Sequence, residues 1–308
     1  MLLVLYVAHA AAQAPELRVM GFGGASNWPV FAALDKGFFA REGLRVSLSQ
    51  APSSAAQMAS LAEGRIEIAM TAIDNVIARE EGDVFAFLGA ASGGRFSLMV
   101  APAVKSFADL KGRTLAVDAL ASGYSFVLMD MLRRGGLGAA DYELVSVGGS
   151  RERLAALRSG KALGALLNAP QDAAAEAEGF LKLAGAEAVG RYQGSVGAAR
   201  RDWAAAHAPT LVRYIRGYVA ASDWLYEPAN RGEALAILER SARTSPENAA
   251  RSYDELLQGT LSRKAAMDVE GIRTVLRLRR EYARPAKPLG DVSRYYDPAY
   301  YEKALRND

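Results

Sequence analysis

The stretch SNWPVFAALDKGFFAREGLRV, residues 26–46, indicates the fold class. It begins with polar residues, continues with apolar residues at helical spacing, and ends in the alternating pattern of a strand. Pro29 suits the first turn of a helix, because the N–H groups there have no helical partner. Gly37 and Gly43 suit the left-handed turns that end helices. The stretch therefore predicts a polar turn, a helix and a strand.

The same order of elements recurs along the first two thirds of the chain. Strand patterns lie at residues 17–22, 45–49, 66–70, 84–88, 114–117, 142–147, 162–167 and 192–199, with helical patterns between them. This alternation predicts an α/β fold whose sheets are mainly parallel and flanked by helices. The unit LAEGRIEIAM (residues 61–70) is matched by LRSGKALGAL (residues 157–166), which suggests two similar lobes. After residue 202 the pattern is helical.

Composition excludes several classes of protein. The chain has 308 residues, 51% of them hydrophobic, and a formal net charge of +3, which fits one large domain or two modest ones. Its basic residues are scattered and mostly matched by acids, so no nucleic-acid surface is predicted. The absence of cysteine excludes disulfides, thiolate nucleophiles and cysteine-ligated metal sites.

The first residues, MLLVLYVAHAAAQAPE, resemble an export signal. An apolar run at residues 2–8 is followed by small residues at A-x-A spacing, and the run is too short to span a membrane as a helix. We therefore predict a signal peptide at residues 1–14, cleaved near residues 10–14, and a periplasmic location. No Lys or Arg precedes the apolar run, so a buried first strand is the alternative.

Motifs for catalysis and for cofactor binding are absent from the sequence. There are only two histidines, His9 and His207, and no zincin, serine-hydrolase or P-loop motif occurs. The segment GFGGAS at residues 21–26 is not a dinucleotide-binding fingerprint. We predict no metal site and no cofactor, and a protein that is not an enzyme, although its many carboxylates leave acid–base chemistry open.

The turns that follow the strands carry the candidate ligand-binding residues. In open parallel sheets, ligands bind beyond the carboxyl ends of the strands, and helix N-termini there favour anions. The alternative for each Ser, Thr or Asn is simple helix capping. The candidates are Asn27, Trp28, Ser53, Ser54, Thr71, Asp74, Ser122, Gly123, Tyr124, Ser125 and Asn168, and residues 148–150 form a further turn of this kind. Trp28 and Tyr124, one in each half, are expected to cover an apolar part of the ligand, and packing on the local core is the alternative for Trp28.

Two charged residues in or near these turns point to opposite kinds of ligand. Arg95, also a candidate, would favour a carboxylate or sulfonate if it faces the ligand. It is alternatively a solvated residue between the halves. Asp74 would instead suit an amine or a ring N–H donor. The charge of the ligand therefore stays open.

Several motifs of the chain resemble those of a known protein family. NWPVFAALDKGFFAREGLRV (residues 27–46), followed by LAEGRIEIAM (residues 61–70), resembles the sulfonate-, taurine-, nitrate- and thiamine-pyrimidine-precursor-binding proteins of bacterial ABC importers. SFADLKGRTLAV (residues 106–117) resembles the opening of their second lobe, and YYDPAYYEKAL (residues 295–305) their C-terminal tail. Glu67 stands where the family usually has Asp. The resemblance covers nearly the whole mature chain.

The resemblance implies a two-lobed periplasmic-binding-protein fold of type II. Lobe one would comprise residues 15–95 and 194–308, with the C-terminal helices packed on it. Lobe two, residues 96–193, would be inserted, with hinges near residues 93–100 and 192–197. The family's contact turns map to Asn27, Trp28, Ser53, Ser54, Thr71, Ser122, Tyr124 and Asn168 in a cleft on which the lobes close.

The function implied is an exported solute-binding component of an ABC importer. It would be a monomer that captures a small polar or anionic organic solute (a sulfonate, an aromatic acid or a pyrimidine-like compound) and passes it to a membrane permease. A ligand sensor that signals to a partner is the alternative. Relatives that make a thiamine pyrimidine use a cysteine-rich segment with an active histidine and lysine. This chain has no cysteine, and no histidine in the matching lobe, which argues against that activity.

Overall fold

A computed structural model describes residues 16–79, 81–91, 96–168, 170–255, 257 and 261–306. Two five-stranded sheets flanked by helices form two lobes, which confirms the predicted α/β fold. The predicted signal peptide and Arg95 lie outside the described residues. Within the described ranges, no helix has the length and apolar character needed to cross a membrane.

Ten strands are present in the described part of the chain. They are β1 (Glu16–Gly21), β2 (Arg45–Gln50), β3 (Ile68–Ala72), β4 (Val84–Gly89), β5 (Ser97–Val100), β6 (Arg113–Val117), β7 (Tyr142–Ser146), β8 (Gly164–Leu167), β9 (Leu181–Gly185) and β10 (Ser195–Arg200). The first sheet has the order β2-β1-β3-β10-β4 and the second the order β7-β6-β8-β5-β9. The second sheet is therefore formed by one continuous segment between the strands of the first.

The helices of the described residues connect and cover these strands. They are α1 (Trp28–Asp35), α2 (Phe38–Arg41), α3 (Ser54–Ala62), α4 (Ile73–Ala78), α5 (Gly123–Arg134), α6 (Ser150–Arg158), α7 (Gln171–Ala177), α8 (Arg201–Ala206), α9 (Ala208–Tyr226), α10 (Arg231–Ala242), α11 (Pro246–Glu255), α12 (Val269–Tyr282), α13 (Val292–Tyr295) and α14 (Ala299–Leu305). Gly37 and Gly43 have φ values of 70° and 68°, so both adopt the left-handed turns that the sequence predicts.

In each sheet one strand runs against the other four. Strand β10 is antiparallel to β3 and β4, and β5 is antiparallel to β8 and β9, whereas β1 with β2 and β6 with β7 pair in parallel. Each reversed strand is the first strand that the chain forms after it passes from the other sheet. Because the remaining strands of a sheet share one direction, their carboxyl ends lie on one edge.

Two strands of the second sheet were not predicted from the sequence. All four residues of β5 are buried, so its sequence SLMV lacks the alternation that marks a half-buried strand. Strand β9 has the sequence LKLAG and directly follows a helix and a turn, and no sequence pattern there predicts a strand. The missing strands lie side by side at the edge of the second sheet.

Helix α12 joins the two lobes. Most C-terminal helices pack on the first lobe, as predicted, with α9 against α1 and α14 against α9 and β4. By contrast, α12 contacts α4 of the first lobe and α5 of the second. Its Ile272 and Leu276 belong to the same apolar cluster as Ile73 of α4 and Phe126 of α5. The apolar packing is therefore continuous from one lobe to the other.

Candidate functional site

The polar turns of the two lobes meet where β3 ends in the first lobe and β6 ends in the second. Asp74 lies in the first turn of α4, and Gly123 begins α5. A Cβ atom added to Gly123 would lie only 2.8 Å from the Cβ and Cγ of Asp74. Glycine is therefore required for this approach, and the lobes are closed on each other at this point.

Asp74 is neutralised by a residue that the sequence did not single out. Its Oδ1 accepts a hydrogen bond from Nε of Arg279 at 2.9 Å, and its Oδ2 accepts one from Nη2 at 2.9 Å. The two side chains are 5% and 14% exposed. This pairing satisfies the carboxylate without an amine or ring N–H donor from a ligand. Nearby, Oγ1 of the buried Thr71 accepts a hydrogen bond from Nδ2 of Asn75 at 2.8 Å.

The turn that opens α5 is held by its own hydroxyl groups. Ser122 accepts a hydrogen bond from the N–H of Ser125 at 3.1 Å, which is a helix cap, and donates one to Oδ1 of Asp118 at 2.5 Å. The Ser125 hydroxyl donates to the carbonyl oxygen of Ala119. These contacts fix the N-terminus of α5 against the end of β6.

Tyr124 and Asn168 come together from separate strand ends. The Nδ2 of Asn168, which follows β8, donates a hydrogen bond to the Tyr124 hydroxyl at 2.7 Å. The backbone N–H of Asn168 donates to Oγ of Ser150, the first residue of α6, at 3.0 Å. Three of the predicted turns in the second lobe, at the starts of α5 and α6 and the end of β8, therefore form one polar cluster.

Arg153 lies beside this cluster, and its role was not predicted. It is 3% exposed, and its guanidinium carbon is 5.4 Å from the centre of the Tyr124 ring. Its Nη1 is 3.7 Å from Oδ1 of Asp118, an ion-pair distance that is too long for a hydrogen bond. Burial lowers the pKa of Arg153, and the nearby Asp118 carboxylate opposes this shift.

A signal for Arg153 is present in the sequence of α6. Leu154 and Leu157 form the buried face of this helix, and Arg153 lies on the same face, four residues before Leu157. A charged residue on an apolar face, one turn after the GGS turn of residues 148–150, is a reason to expect a buried polar site.

Three buried polar atoms in this cluster lack a hydrogen-bond partner among the described residues. They are Nε and Nη1 of Arg153 and Oδ1 of Asn168. The cluster therefore combines hydrogen-bond donors that carry positive charge with one neutral acceptor.

Aromatic rings pack beside Tyr124, in the segments where the chain passes from one lobe to the other. Phe96 makes edge contacts with Tyr124, at 6.3 Å between ring centres, and with Tyr192, at 5.7 Å. Burial raises the pKa of Tyr124 and of Tyr192, so both phenols are neutral at physiological pH. Phe96 and Tyr192 precede β5 and β10, the segments that carry the predicted hinges.

The first-lobe candidates fold onto their own turns. Nδ2 of Asn27 donates a hydrogen bond to the carbonyl oxygen of Phe22 at 2.5 Å, and the side chain packs against Gly21. Ser53 is exposed and caps α3 by accepting a hydrogen bond from the N–H of Ala56 at 3.1 Å. Ser54 is half-buried. Contact of these residues with a ligand stays a prediction.

The expectation that the Trp28 side chain covers the ligand is corrected by the structure. Trp28 is fully buried in the core of the first lobe. Its indole Nε1 donates a hydrogen bond to the carbonyl oxygen of Ala234 in α10 at 3.1 Å, and its ring meets Tyr253 of α11 edge-on at 5.4 Å. Helices far along the chain therefore provide the apolar surface and the acceptor that a buried indole needs.

A hollow of about 190 Å³ lies at the rim where the lobes meet. Its lining includes Ile77 of the first lobe and Ala121 of the second, together with three basic residues, Arg279, Arg284 and Lys287. Within the described part of the chain, no group of three or more His, Asp or Glu side chains is placed to hold a metal ion.

Comparison with known proteins identifies the family. A family model described as NMT1/THI5-like matches residues 25–229, which is more than half of the chain. None of the curated proteins matches the sequence.

Solved structures share the fold at low sequence identity. A protein of Bordetella bronchiseptica RB50 is 21% identical, with a TM-score of 0.80 over 95% of this chain and 97% of that one. The zinc-bound ligand-binding component of an ABC-type import system from Staphylococcus aureus is 14% identical, with a TM-score of 0.80 over 96% and 100% of the two chains. The alkanesulfonate-binding protein SsuA from Xanthomonas axonopodis pv. citri, bound to MOPS, is 18% identical, with a TM-score of 0.72 over 89% and 96%. These structures share the fold, and the match of the family model over residues 25–229 shows that the chain belongs to the NMT1/THI5-like family.

Proposed function

We propose that the protein is the solute-binding component of an ABC importer and captures a small polar or anionic organic solute between its lobes. The observation that carries the proposal is the meeting of the strand ends of both lobes at Asp74 and Gly123. Beside this contact the first lobe contributes Thr71 and Asn75, and the second lobe contributes Ser122 and the N-terminus of α5, which suits a polar head group. Family membership supports the proposal, as do the fold relatives named as an ABC-import component and an alkanesulfonate-binding protein.

In this proposal, the protein captures its solute by closing the two lobes around it. Lobe one comprises residues 15–95 and 194–308, lobe two comprises residues 96–193, and the hinges lie near residues 93–100 and 192–197. The ligand enters between open lobes, and closure surrounds it with the turns of Asn27, Ser53, Ser54, Thr71, Asp74, Ser122, Gly123, Tyr124, Ser125 and Asn168. Arg95 stays a predicted contact. The solute leaves unchanged, so the protein is a carrier rather than an enzyme.

The proposed location and partners follow from the same role. The chain is exported to the periplasm with removal of residues 1–14, acts as a monomer, and delivers its solute to a membrane permease.

A thermal-shift screen of the mature protein tests the proposal. The protein is unfolded in denaturant, dialysed and refolded to remove bound compounds, and then mixed with sulfonates, aromatic and aliphatic acids, amines, pyrimidines and nitrate. We expect at least one class to raise the melting temperature, because a ligand that binds only the folded state stabilises it. Small-angle X-ray scattering should then show compaction, and mass spectrometry should recover the compound unchanged. No stabilisation by any class, or chemical turnover of the compound, would contradict the proposal.

A further inference from the structure

The polar cluster of the second lobe, which contains Tyr124, Arg153 and Asn168, includes buried hydrogen-bonding groups that have no partner among the described residues. Nε and Nη1 of Arg153 are donors without a partner, and Oδ1 of Asn168 is an acceptor without a partner among the described residues. Buried polar groups in folded proteins are nearly always paired, and an unpaired buried charge is costly. The second lobe is therefore complementary to a molecule that offers both an acceptor and a donor.

Tyr124 fixes the relative position of the two groups. The Tyr124 hydroxyl accepts the Asn168 Nδ2 hydrogen bond at 2.7 Å, and the Arg153 guanidinium lies 5.4 Å from the ring. Arg153 and Asn168 are therefore both held by contacts to one rigid side chain. Arg153 also projects from the first turn of α6, where the helix dipole adds to its positive potential.

The existing neighbours leave the Arg153 charge available to a ligand. Oδ1 of Asp118 is 3.7 Å from Nη1, and this same oxygen already accepts the hydrogen bond of Ser122 at 2.5 Å. Asp118 therefore offsets part of the charge but satisfies neither of the orphaned N–H donors. On the first-lobe side, the Asp74 carboxylate is occupied by Arg279, so the nearby surface does not offer an unpaired carboxylate to a cation.

We propose that the solute is a small organic acid that carries an N–H or O–H donor beside its acid group. Its acid oxygens accept hydrogen bonds from Arg153, and its neighbouring donor binds Oδ1 of Asn168. This inference rests on the proposed solute-binding function and specifies its ligand class. Hydroxy acids, amino acids and aromatic acids with an ortho amino or hydroxyl group belong to the class, whereas amines, neutral pyrimidines and acids without a donor lack one of the two features.

The same arrangement makes an acid group the favoured partner of Arg153. The Arg153 guanidinium is buried, and its Nε and Nη1 donors have no partner among the described residues, which is costly. An acid group provides the missing hydrogen bonds to this guanidinium.

Two matched sets of probes test the ligand class on the refolded mature protein. The aromatic set is benzoate, anthranilate, benzamide and benzylamine, and the aliphatic set is propionate and lactate. We expect anthranilate to bind about 3- to 10-fold more tightly than benzoate, and lactate more tightly than propionate, because each adds one neutral hydrogen bond. Benzamide and benzylamine should not raise the melting temperature. Calorimetry provides the dissociation constants.

Variants of the two residues test their assignments. Arg153→Met should weaken binding of the acids by about 30-fold or more, as expected for loss of a buried charged partner, without lowering the melting temperature of the ligand-free protein. Arg151→Met, on an exposed position of the same helix, is the matched control and should bind as the wild type does. Asn168→Leu should retain benzoate binding but reduce the preference for anthranilate to about 1-fold, that is, to no preference, because the acceptor for the solute's donor is removed together with the hydrogen bond to Tyr124.

The outcomes separate this inference from the proposed function. If amines or neutral pyrimidines stabilise the protein and no acid does, the solute-binding function stands and the acid assignment is wrong. Equal binding of the acids by Arg153→Met and wild type would also overturn it, as would equal binding of benzoate and anthranilate by the wild type. If no solute of any class binds, both proposals fail.

Discussion

Asp74 and Arg279 form a two-point ion pair between segments 205 residues apart, with both N–O distances at 2.9 Å. Asp74 belongs to the first lobe, whereas Arg279 lies on α12, which also packs on α5 of the second lobe. The Arg279 guanidinium carbon lies 5.3 Å from the centre of the Phe126 ring of α5. The pair therefore connects three segments at the place where the lobes meet.

Removing one partner of the Asp74–Arg279 pair should destabilise the folded protein. Arg279→Met leaves the Asp74 carboxylate buried and unpaired, for which we expect a loss of about 3 kcal/mol in the free energy of unfolding. Adding Asp74→Ala to Arg279→Met should recover part of the loss, because the buried charge is then removed as well. Urea unfolding followed by circular dichroism measures both effects.

Arg273 provides a control for the loss of an arginine from the same helix. It is exposed and pairs with Glu270 within one turn of α12, so Arg273→Met should cost less than about 1 kcal/mol. If Arg279→Met were no more costly than Arg273→Met, the Asp74–Arg279 pair would have no role in joining the lobes.

Gly123→Ala tests the contact between the lobes directly. A Cβ atom at this position would lie 2.8 Å from Cβ and Cγ of Asp74, which is inside van der Waals contact, so the lobes must move apart. We expect small-angle X-ray scattering to show a larger radius of gyration in the presence of ligand, and the affinity for ligand to fall at least tenfold. Gly232→Ala is the matched control, because a Cβ there meets no atom within 4 Å and the residue lies in α10.

Trp28→Phe should change stability without changing ligand affinity. The change keeps an aromatic ring in the core but removes the indole N–H that donates to Ala234, and we expect a loss of about 1–2 kcal/mol. Urea unfolding measures the loss, and calorimetry well below the melting temperature measures binding. A large drop in affinity with unchanged stability would indicate that Trp28 contacts the ligand.

Much of the fold was predictable because its signals are local. The strand and helix patterns, the left-handed Gly37 and Gly43, and the Ser53 and Ser122 caps each depend on a few neighbouring residues. Strand β5 was missed because a strand buried on both faces has no alternation.

The candidate site was only partly predictable, because its decisive contacts are long-range. The sequence indicated the turn of Tyr124 and the position of Asn168, but not that the two side chains are joined. The environment of Trp28 is set by α10 and α11, and the partner of Asp74 lies on α12. No local pattern identifies which of many arginines pairs with a given carboxylate.

Asp118→Asn should strengthen the binding of anionic solutes. Asp118 places a negative charge 3.7 Å from Nη1 of Arg153, and it therefore opposes an anion that binds the same guanidinium. The amide retains an oxygen that can accept the Ser122 hydrogen bond, so the turn should be preserved. We expect the dissociation constant for acids to fall about 3-fold or more by calorimetry, with a smaller effect at high salt. Weaker binding of acids by this variant would contradict the position assigned to the solute.

Asp130 should make stability depend on acid pH. The carboxylate is fully buried between α5 and α12, and burial alone would raise its pKa, but hydrogen bonds from Arg133, Arg134 and Arg277 outweigh burial and lower the pKa. A group with a lowered folded-state pKa contributes stability above its unfolded value, about 4, and loses it as the pH falls further. Asp130→Asn should therefore cost about 2 kcal/mol at pH 7, by loss of hydrogen bonds to a charged group.

The difference between Asp130→Asn and wild type should shrink as the pH falls from about 4 towards 2, because the wild-type carboxylate then becomes protonated and loses the same interactions. Urea unfolding at a series of pH values measures this difference, and Asp254→Asn is a control, since that carboxylate is exposed and has an exposed arginine partner. A difference that stays constant from pH 7 to pH 2 would mean that Asp130 stabilises the contact of α5 with α12 by its shape rather than by its charge.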